Sequence, residues 1–473
     1  MKIKLVGNDE TYAVRDIVSL FVPMQKYEFV KGSDYDVLAS FENGGYFAEY
    51  KTENGTFCHN INKSEYDKNT LKLCLFKAMQ KAFSQKPPWG ILTGIRPTKT
   101  VREMMENKLT NEKIAKILEN DFLVDEGKIN LALLCAENER KIIDGIPKNS
   151  VSLYVSIPFC PTRCHYCSFI SQSVAYSKKL IEPYLEKLEY EISQCARLLK
   201  NYGKTVDSVY IGGGTPTTLT AYQLEKLISA LYREFDLSNI REFTVEAGRP
   251  DTIDREKLKV LKNMNVGRIS INPQTFNDKT LKIIGRSHTA LDTEEKFYLA
   301  REMGFSHINT DIIAGLYGEN FSDFEKTLEK ILALNPESVT VHTLCVKRGA
   351  YLAEKYDYFN TSAKETAKML DFASRTLIKN GKNPYYMYRQ KNMAGNLENI
   401  GFCEKDCECI YNVAIMQEVQ TNIALGAGAS TKLVCGNKIE RAFNVKEVSE
   451  YIKRTDEMIK RKETLFEQKI YKF

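Results

Sequence analysis

The sequence predicts an α/β protein built on an open, partial (β/α)6 TIM-like barrel, with an α+β domain before it and a mixed region after it. Two observations carry this. From residue 151, short strands rich in Val, Ile, Phe and Tyr alternate with amphipathic segments, giving six β–α units in order. That order argues a parallel sheet of right-handed crossovers. Six units in roughly 230 residues fall short of the eight units and about 250 residues of a closed barrel.

The elements follow in chain order. Residues 1 to 86 read as a small α+β unit: 37–41 and 46–50 flank Glu42-Asn-Gly-Gly45, a hairpin signal, and 65–83 has apolar residues at helical spacing. Residues 86–97 form a Pro- and Gly-rich loop holding the only tryptophan, Trp89. Residues 100–143 look helical, and Gly145-Ile-Pro-Lys-Asn-Ser150 is a linker. The expected barrel strands are 152–157, 208–211, 242–246, 268–272, 307–313 and 338–343. The helices between and after them are 179–200, 221–235, 254–264, 291–303, 321–334 and 362–380. Of the last hundred residues, 383–399 is polar and aromatic, Leu425-Gly-Ala-Gly-Ala429 is a tight turn, and 445–462 is a charged terminal helix. The expected domains are therefore 1–145, 151–380 and 381–473, the last a substrate-covering region.

Composition narrows the class. The chain has 473 residues, 43% hydrophobic and 27% charged, as a globular protein of two or three domains would. No apolar run is long enough for a membrane span, and the first residues hold no signal-peptide core. A cytoplasmic location is expected, so the twelve cysteines point to metal or catalysis rather than disulfides. A net charge of +6 suits a small anion as well as nucleic acid and decides nothing.

The most informative motif follows the first barrel strand. Cys160, Cys164 and Cys167 stand in C-x3-C-x2-C spacing within Pro158-Phe-Cys-Pro-Thr-Arg-Cys-His-Tyr-Cys167. An electron-transfer [4Fe-4S] cluster takes four cysteines. Three leave one iron open to a substrate or cofactor. The pattern resembles the radical S-adenosylmethionine (SAM) superfamily, in which the open iron chelates the amino and carboxylate groups of SAM.

Other residues cluster at strand ends, where an α/β barrel builds its site. Tyr210-Ile-Gly-Gly-Gly-Thr-Pro-Thr217 ends the second strand, and glycine there lets backbone approach a ligand. Glu246, Gln274, Arg286 and Asp311 sit near later strand ends. Each alone reads equally as a structural pair; together they suggest a polar cofactor.

More specifically, the chain resembles the oxygen-independent coproporphyrinogen III oxidase family. The matching pieces are Leu153-Tyr-Val-Ser-Ile-Pro-Phe-Cys160, the cysteine loop, Gly212-Gly-Gly-Thr-Pro-Thr217, Val245-Glu-Ala247, Pro273-Gln-Thr-Phe276, Gly285-Arg-Ser-His288 and Asp311-Ile-Ile-Ala-Gly315. Trp89-Gly-Ile-Leu-Thr-Gly-Ile-Arg-Pro-Thr-Lys99 and Tyr385-Tyr-Met-Tyr-Arg-Gln-Lys-Asn-Met393 are similar to its HemZ-type coproporphyrinogen dehydrogenase branch, which carries an extra N-terminal region. Two positions depart from the family pattern. Ser156 stands where His is usual, and Phe169 stands where the best-studied oxidases have a fourth cysteine. Phe also occurs there in the heme-chaperone branch.

The resemblance implies roles. Cys160, Cys164 and Cys167 hold the cluster. Tyr154, Gly213, Gly214, Thr215 and Glu246 contact the cluster-bound SAM. Gln274, Arg286 and Asp311 match positions that contact a second SAM, and Tyr166 lies beside the cofactor. The implied reaction is oxidative decarboxylation of coproporphyrinogen III to protoporphyrinogen IX by a 5′-deoxyadenosyl radical, fed by a low-potential donor such as flavodoxin or ferredoxin. The rivals are a heme chaperone, a tetrapyrrole methylation or ring opening, and an RNA-modifying radical enzyme. Arg389, Lys391 and Tyr388 are candidates for porphyrin carboxylates, since guanidinium pairs with carboxylate and stacks on flat rings; a surface strand with alternating basic residues fits them equally. Cys403, Cys407 and Cys409 could bind a metal, but their acidic, turn-like surroundings favour a solvated loop.

Overall fold

In the computed structural model, strands and helices alternate from Ser150 onward. Residues 1–22, 26–83, 86–167, 171–345, 363–390, 396–436 and 438–470 are described. The chain divides into two compact units, Met1–Glu137 with Met387–Asn399, and Asn138–Tyr386 with Ile400–Phe473. The expected third region, 381–473, is thus shared between the two.

The first unit has a five-stranded sheet in the order β2-β1-β3-β4-β5. Its strands are β1 (Lys2–Val6), β2 (Glu28–Val30), β3 (Val37–Glu42), β4 (Gly45–Thr52) and β5 (Gly55–Asn62). The expected hairpin joins β3 and β4. Its turn residues Asn43 and Gly44 have φ of 51° and 71°, the left-handed pair that a tight hairpin needs. Helices Thr11–Phe21 and Lys68–Phe83 lay Val14, Ile17, Leu71, Leu75 and Phe76 against Ile3, Val37 and Ala48.

The second unit holds the barrel strands: β6 (Ser150–Ile157), β9 (Thr205–Gly213), β10 (Glu242–Gly248), β11 (Arg268–Ile271), β12 (Ile308–Ala314) and β13 (Ser338–Thr343). They lie side by side and parallel, as expected. Helices Ile181–Asn201, Ala221–Glu234, Arg255–Asn263, Ala290–Glu302, Phe321–Leu334 and Ala363–Lys379 match the expected ones to within two residues. Two short strands, β7 (Phe159–Cys160) and β8 (Gln172–Ser173), pair beyond β6.

The C-terminal chain extends this sheet at both edges. β16 (Thr421–Leu425) lies parallel to β6, and the β17 (Ser430–Cys435) and β18 (Lys438–Phe443) strands follow it outward. At the other edge β15 (Asn399–Cys403) lies antiparallel to β13, with β14 (Asn383–Tyr388) beyond it. Among the described residues the sheet has eleven strands.

Alternation decides what each face carries. Val151, Leu153, Val155, Val209, Ile211, Val245 and Ile269 join the core under the helices. The intervening residues line the inner face and are polar: Ser152 pairs in register with Ser208, Tyr154 with Tyr210, and Glu246 with Ser270. At the amino ends of the strands, Arg268 donates to His307, Asn309 and Ser338, and to the carbonyl of Cys407 at 2.9 Å. Glu242 accepts from Ile410 N at 2.6 Å and Cys409 Sγ at 3.2 Å. The ends of the 403–410 segment are therefore pinned to that end of the barrel, with Cys403 and Cys409 buried, while its turn at Lys405 and Asp406 is exposed, as the solvated-loop reading expects.

Candidate active site

The site is built at the carboxyl ends of the strands, beginning with the glycines after β9. Gly214 N donates to the carbonyl of Ile157 at 2.8 Å, and Thr215 N to that of Phe159 at 2.7 Å. A Cβ on Gly214 would sit 2.6 Å from Phe159 O. Gly213 has φ of 109°. Side chains are excluded here because two backbones touch, and this contact seats the cysteine loop on the barrel rim.

The loop is tied down at several further points. Thr215 Oγ1 lies 3.6 Å from Cys160 Sγ. His165 donates its backbone N–H to Ile284 O at 3.0 Å, and Thr162 Oγ1 donates to Gly285 O at 3.0 Å. Arg249 Nη1 reaches Thr162 O at 3.0 Å, Thr162 Oγ1 at 2.9 Å and Cys164 Sγ at 3.9 Å. Cys160, Cys164 and Cys167 are partly exposed and outside any disulfide. Among the described residues no three His, Cys, Asp or Glu side chains meet on one ion. A cubane cluster asks for something else, one thiolate on each of three separate irons. Three thiols spread along one fixed loop fit that demand.

The remaining predicted residues lie around the same rim. Tyr210 Oη donates to Glu246 Oε1 at 2.6 Å. Burial, with the Asp311 charge adding to it, pushes the Glu246 carboxyl up to about 7, against the Tyr210 bond. Asp311 behaves oppositely. Burial would raise it, but His342 and Asn309 hold it below the usual carboxylate range. His342 Nε2 is 3.6 Å away and Asn309 Nδ2 donates at 2.8 Å. Gln274 has φ of 70° and brackets β12, donating to Asp311 O and accepting from Ile313 N, each at 3.0 Å. Arg286 donates to Asn272 O at 2.6 Å and to Tyr166 Oη at 3.3 Å. Tyr166 itself packs on Leu281, Ile284, Ile313 and Leu316.

Buried polar atoms test the fit of a polar cofactor. Asn272 Oδ1 and Arg286 Nε are both buried without a protein partner. Such atoms are costly unless a ligand or water satisfies them. Together with the thiol loop and the bare backbone of residues 212–214, they fit an iron–sulfur cluster and an amino-acid-bearing cofactor.

The porphyrin candidates fall elsewhere. Arg389 is 2% exposed. Its guanidinium donates to the carbonyls of Leu92 and Gly94 and lies 5.1 Å from the Trp89 ring centroid, all within the first unit. Backbone carbonyls take its Nε and Nη2, which gives it a structural role, while Nη1 is buried without a protein partner. Tyr388 is half-buried in β14, and Lys391 lies outside the described residues.

Four residues escaped the sequence reading. Tyr411 stacks on Tyr210 at 4.6 Å and on Tyr154 at 6.1 Å, between ring centroids. No local signal couples position 411 to the barrel. Tyr210 was legible, since it shares an inner face with Gly212. Arg249 and His342 also stand at strand ends, where polar residues merit notice.

A family profile described as the radical SAM superfamily matches residues 154–331. The oxygen-independent coproporphyrinogen-III oxidase-like protein HemZ of Bacillus subtilis (strain 168) is 40% identical over 411 residues, 85% of this chain and 82% of HemZ. The heme chaperone HemW of the same organism is 38% identical over 197 residues, 41% of this chain and 51% of HemW. Among solved structures, coproporphyrinogen III oxidase (HemN) from Escherichia coli, a radical SAM enzyme, aligns with a TM-score of 0.55 and 24% identity. That alignment covers 68% of this chain and 73% of HemN, and it speaks for the fold.

Proposed function

This chain belongs to the radical SAM superfamily and, within it, to the oxygen-independent coproporphyrinogen III oxidase-like family of HemZ, and from that premise we propose that it decarboxylates coproporphyrinogen III to protoporphyrinogen IX. The observation that carries the reading is the HemZ likeness, 40% over 82% of that protein. Each of two propionate side chains loses carbon dioxide, a hydrogen atom to the 5′-deoxyadenosyl radical and an electron to an external one-electron acceptor, and becomes a vinyl group. No side chain is basic enough to take that carbon-bound hydrogen at neutral pH. When bound, the cluster and SAM supply its homolytic abstraction.

The chain's own residues bind, orient and exclude water. Cys160, Cys164 and Cys167 would hold three irons and leave the fourth to SAM. The backbone of Gly213 and Gly214, which no side chain covers, with the Thr215 hydroxyl and the Glu246 carboxylate, suits a cationic amino group. Arg286 suits a carboxylate. Gln274 and Asp311, joined backbone to backbone, match the positions for a second SAM. Tyr154, Tyr210 and Tyr411 make a stacked aromatic wall on the inner face. A low-potential one-electron donor such as flavodoxin or ferredoxin would feed the cluster, in a cytoplasmic setting. No helix among the described residues is long and apolar enough to cross a membrane.

The test is anaerobic. Reconstituted, reduced protein given coproporphyrinogen III should release 5′-deoxyadenosine in step with a divinyl product. Tight heme uptake with no decarboxylation would replace this reading with the heme chaperone's. Added carbon or a linear product would move it to another tetrapyrrole chemistry.

A further inference from the structure

Arg249 has no role in the chemistry described above, yet it occupies a singular place. It follows Gly248, the last residue of β10, and its side chain is 2% exposed. Asp251 grips it from one side, taking Nε at 3.0 Å and Nη2 at 2.9 Å. This two-point grip fixes the plane of the guanidinium. Nη1 is thereby aimed the other way, into the cysteine loop. There it meets Thr162 O at 3.0 Å, Thr162 Oγ1 at 2.9 Å and Cys164 Sγ at 3.9 Å. Thr162 is itself fastened to Gly285 O at 3.0 Å, so both ends of the contact are held.

We propose that Arg249 is a positioning residue for the iron–sulfur cluster: its guanidinium fixes the loop carrying Cys164 and directs an N–H at the Cys164 sulfur, which sets how readily the cluster accepts an electron. The inference rests on the three-cysteine cluster assignment and is independent of the substrate. A thiolate that ligates iron carries negative charge, and reduction adds more. A cation and an N–H held against that sulfur stabilise the reduced state, and hydrogen bonds to ligand sulfurs are among the terms that set cluster potentials. Burial of the guanidinium weakens screening by water. Lysine should reproduce it only in part, because an ammonium keeps the charge and a donor for the loop but lacks the planar fork that also binds Asp251 at two points.

The experiment compares full-length wild type, Arg249→Lys and Arg249→Gln, each reconstituted anaerobically with iron and sulfide. Iron content, the thermal melt of the unloaded protein, and the reduced fraction in an electron-resonance redox titration without SAM are measured. In Arg249→Gln the ratio of reduced to oxidised cluster at fixed poise should fall about tenfold, 59 mV for a one-electron couple. Arg249→Lys should fall less, since the charge remains. Wild-type ratios and wild-type iron in both variants would overturn the proposal and leave Arg249 as a salt-bridge partner of Asp251. If Arg249→Gln fails to load iron, the melt decides. A wild-type melt with loading recovered in Arg249→Lys supports loop positioning, and an unfolded chain or unrecovered loading overturns it. Wild type that never loads a cluster refutes the cluster assignment instead.

Discussion

The Tyr210 hydroxyl donates to Glu246 Oε1 at 2.6 Å, between neighbouring strands at the barrel rim. Glu246 is raised from an ordinary 4.5 to about 7, first by burial and then by the Asp311 charge. The folded protein therefore keeps this proton after the unfolded chain has released it. The stability contributed by the group is full below about 4.5 and is lost as pH climbs through about 7. A cationic ligand group favours the carboxylate, so it works against the proton. SAM affinity should thus climb with pH, by up to about tenfold per pH unit below 7, and level off above it. Glu246→Gln should flatten the profile and weaken binding about tenfold or more. Tyr210→Phe removes a bond that favours the charged form, so the midpoint should move to higher pH. Equilibrium dialysis of loaded protein across this range reads all three; an unaltered profile in Glu246→Gln removes Glu246 from the site.

Gly214→Ala should damage the cysteine loop from a distance. The added Cβ would stand 2.6 Å from Phe159 O and 2.9 Å from both Ile157 O and Phe159 N. All three are backbone atoms, so no side chain can swing aside. Overpacking of this kind costs about 1–3 kcal/mol. Urea melts should show that loss, and iron per chain should fall with it. Gly267→Ala is the control, because nothing lies within 4 Å of its Cβ position. Equal melts for the two variants would mean that the rim tolerates movement at Gly214.

The six central strands were legible because each repeats one local pattern, an apolar alternation closed by polar or glycine residues. β15 and β16 were not. β16 pairs Thr421 with Val151, and β15 pairs Cys403 with Ser338. Partners so distant in sequence leave no local mark on either segment. The cysteine loop was legible because three thiols at close spacing need no tertiary context. Arg389 was not, because aromatic and basic residues in a row look alike whether they face a ligand or a packed indole. Trp89 and Arg389 entered as separate motifs, and the fold brings them to 5.1 Å.

The second cysteine group should prove structural. Cys409 gives its thiol to Glu242, and Cys407 gives its carbonyl to Arg268. Replacing Cys403, Cys407 and Cys409 together by Ser should leave iron per chain unchanged, while Cys164→Ser should abolish loading at the rim. Arg268→Met should cost about 3 kcal/mol, because several buried acceptors lose their donor at once. Iron analysis beside denaturant melts separates these outcomes. Iron lost from the triple variant with its fold intact would establish a second metal site.

Arg389→Ala should lower stability without altering substrate affinity. The guanidinium donates to Leu92 and Gly94 carbonyls, with Nε at 3.0 Å from the latter. Nearby, Glu398 accepts from Trp89 Nε1 and Lys128 Nζ, both at 2.6 Å, so Trp89, Lys128 and Glu398 form a buried network beside Arg389. Burial lowers Arg389 to about 10 and Glu398 opposes this, so the group stays charged at neutral pH. Removing it strands the buried Leu92 carbonyl, leaves the exposed Gly94 carbonyl to water and opens space beside the Trp89 ring. A stranded group costs about 1–3 kcal/mol and the opened space adds to it, so the first unit should lose about 2–4 kcal/mol in a denaturant melt. Below the transition, the folded variant should keep the wild-type KM for its tetrapyrrole. A raised KM at an unchanged melting temperature would return Arg389 to the substrate and overturn its assignment as a strut.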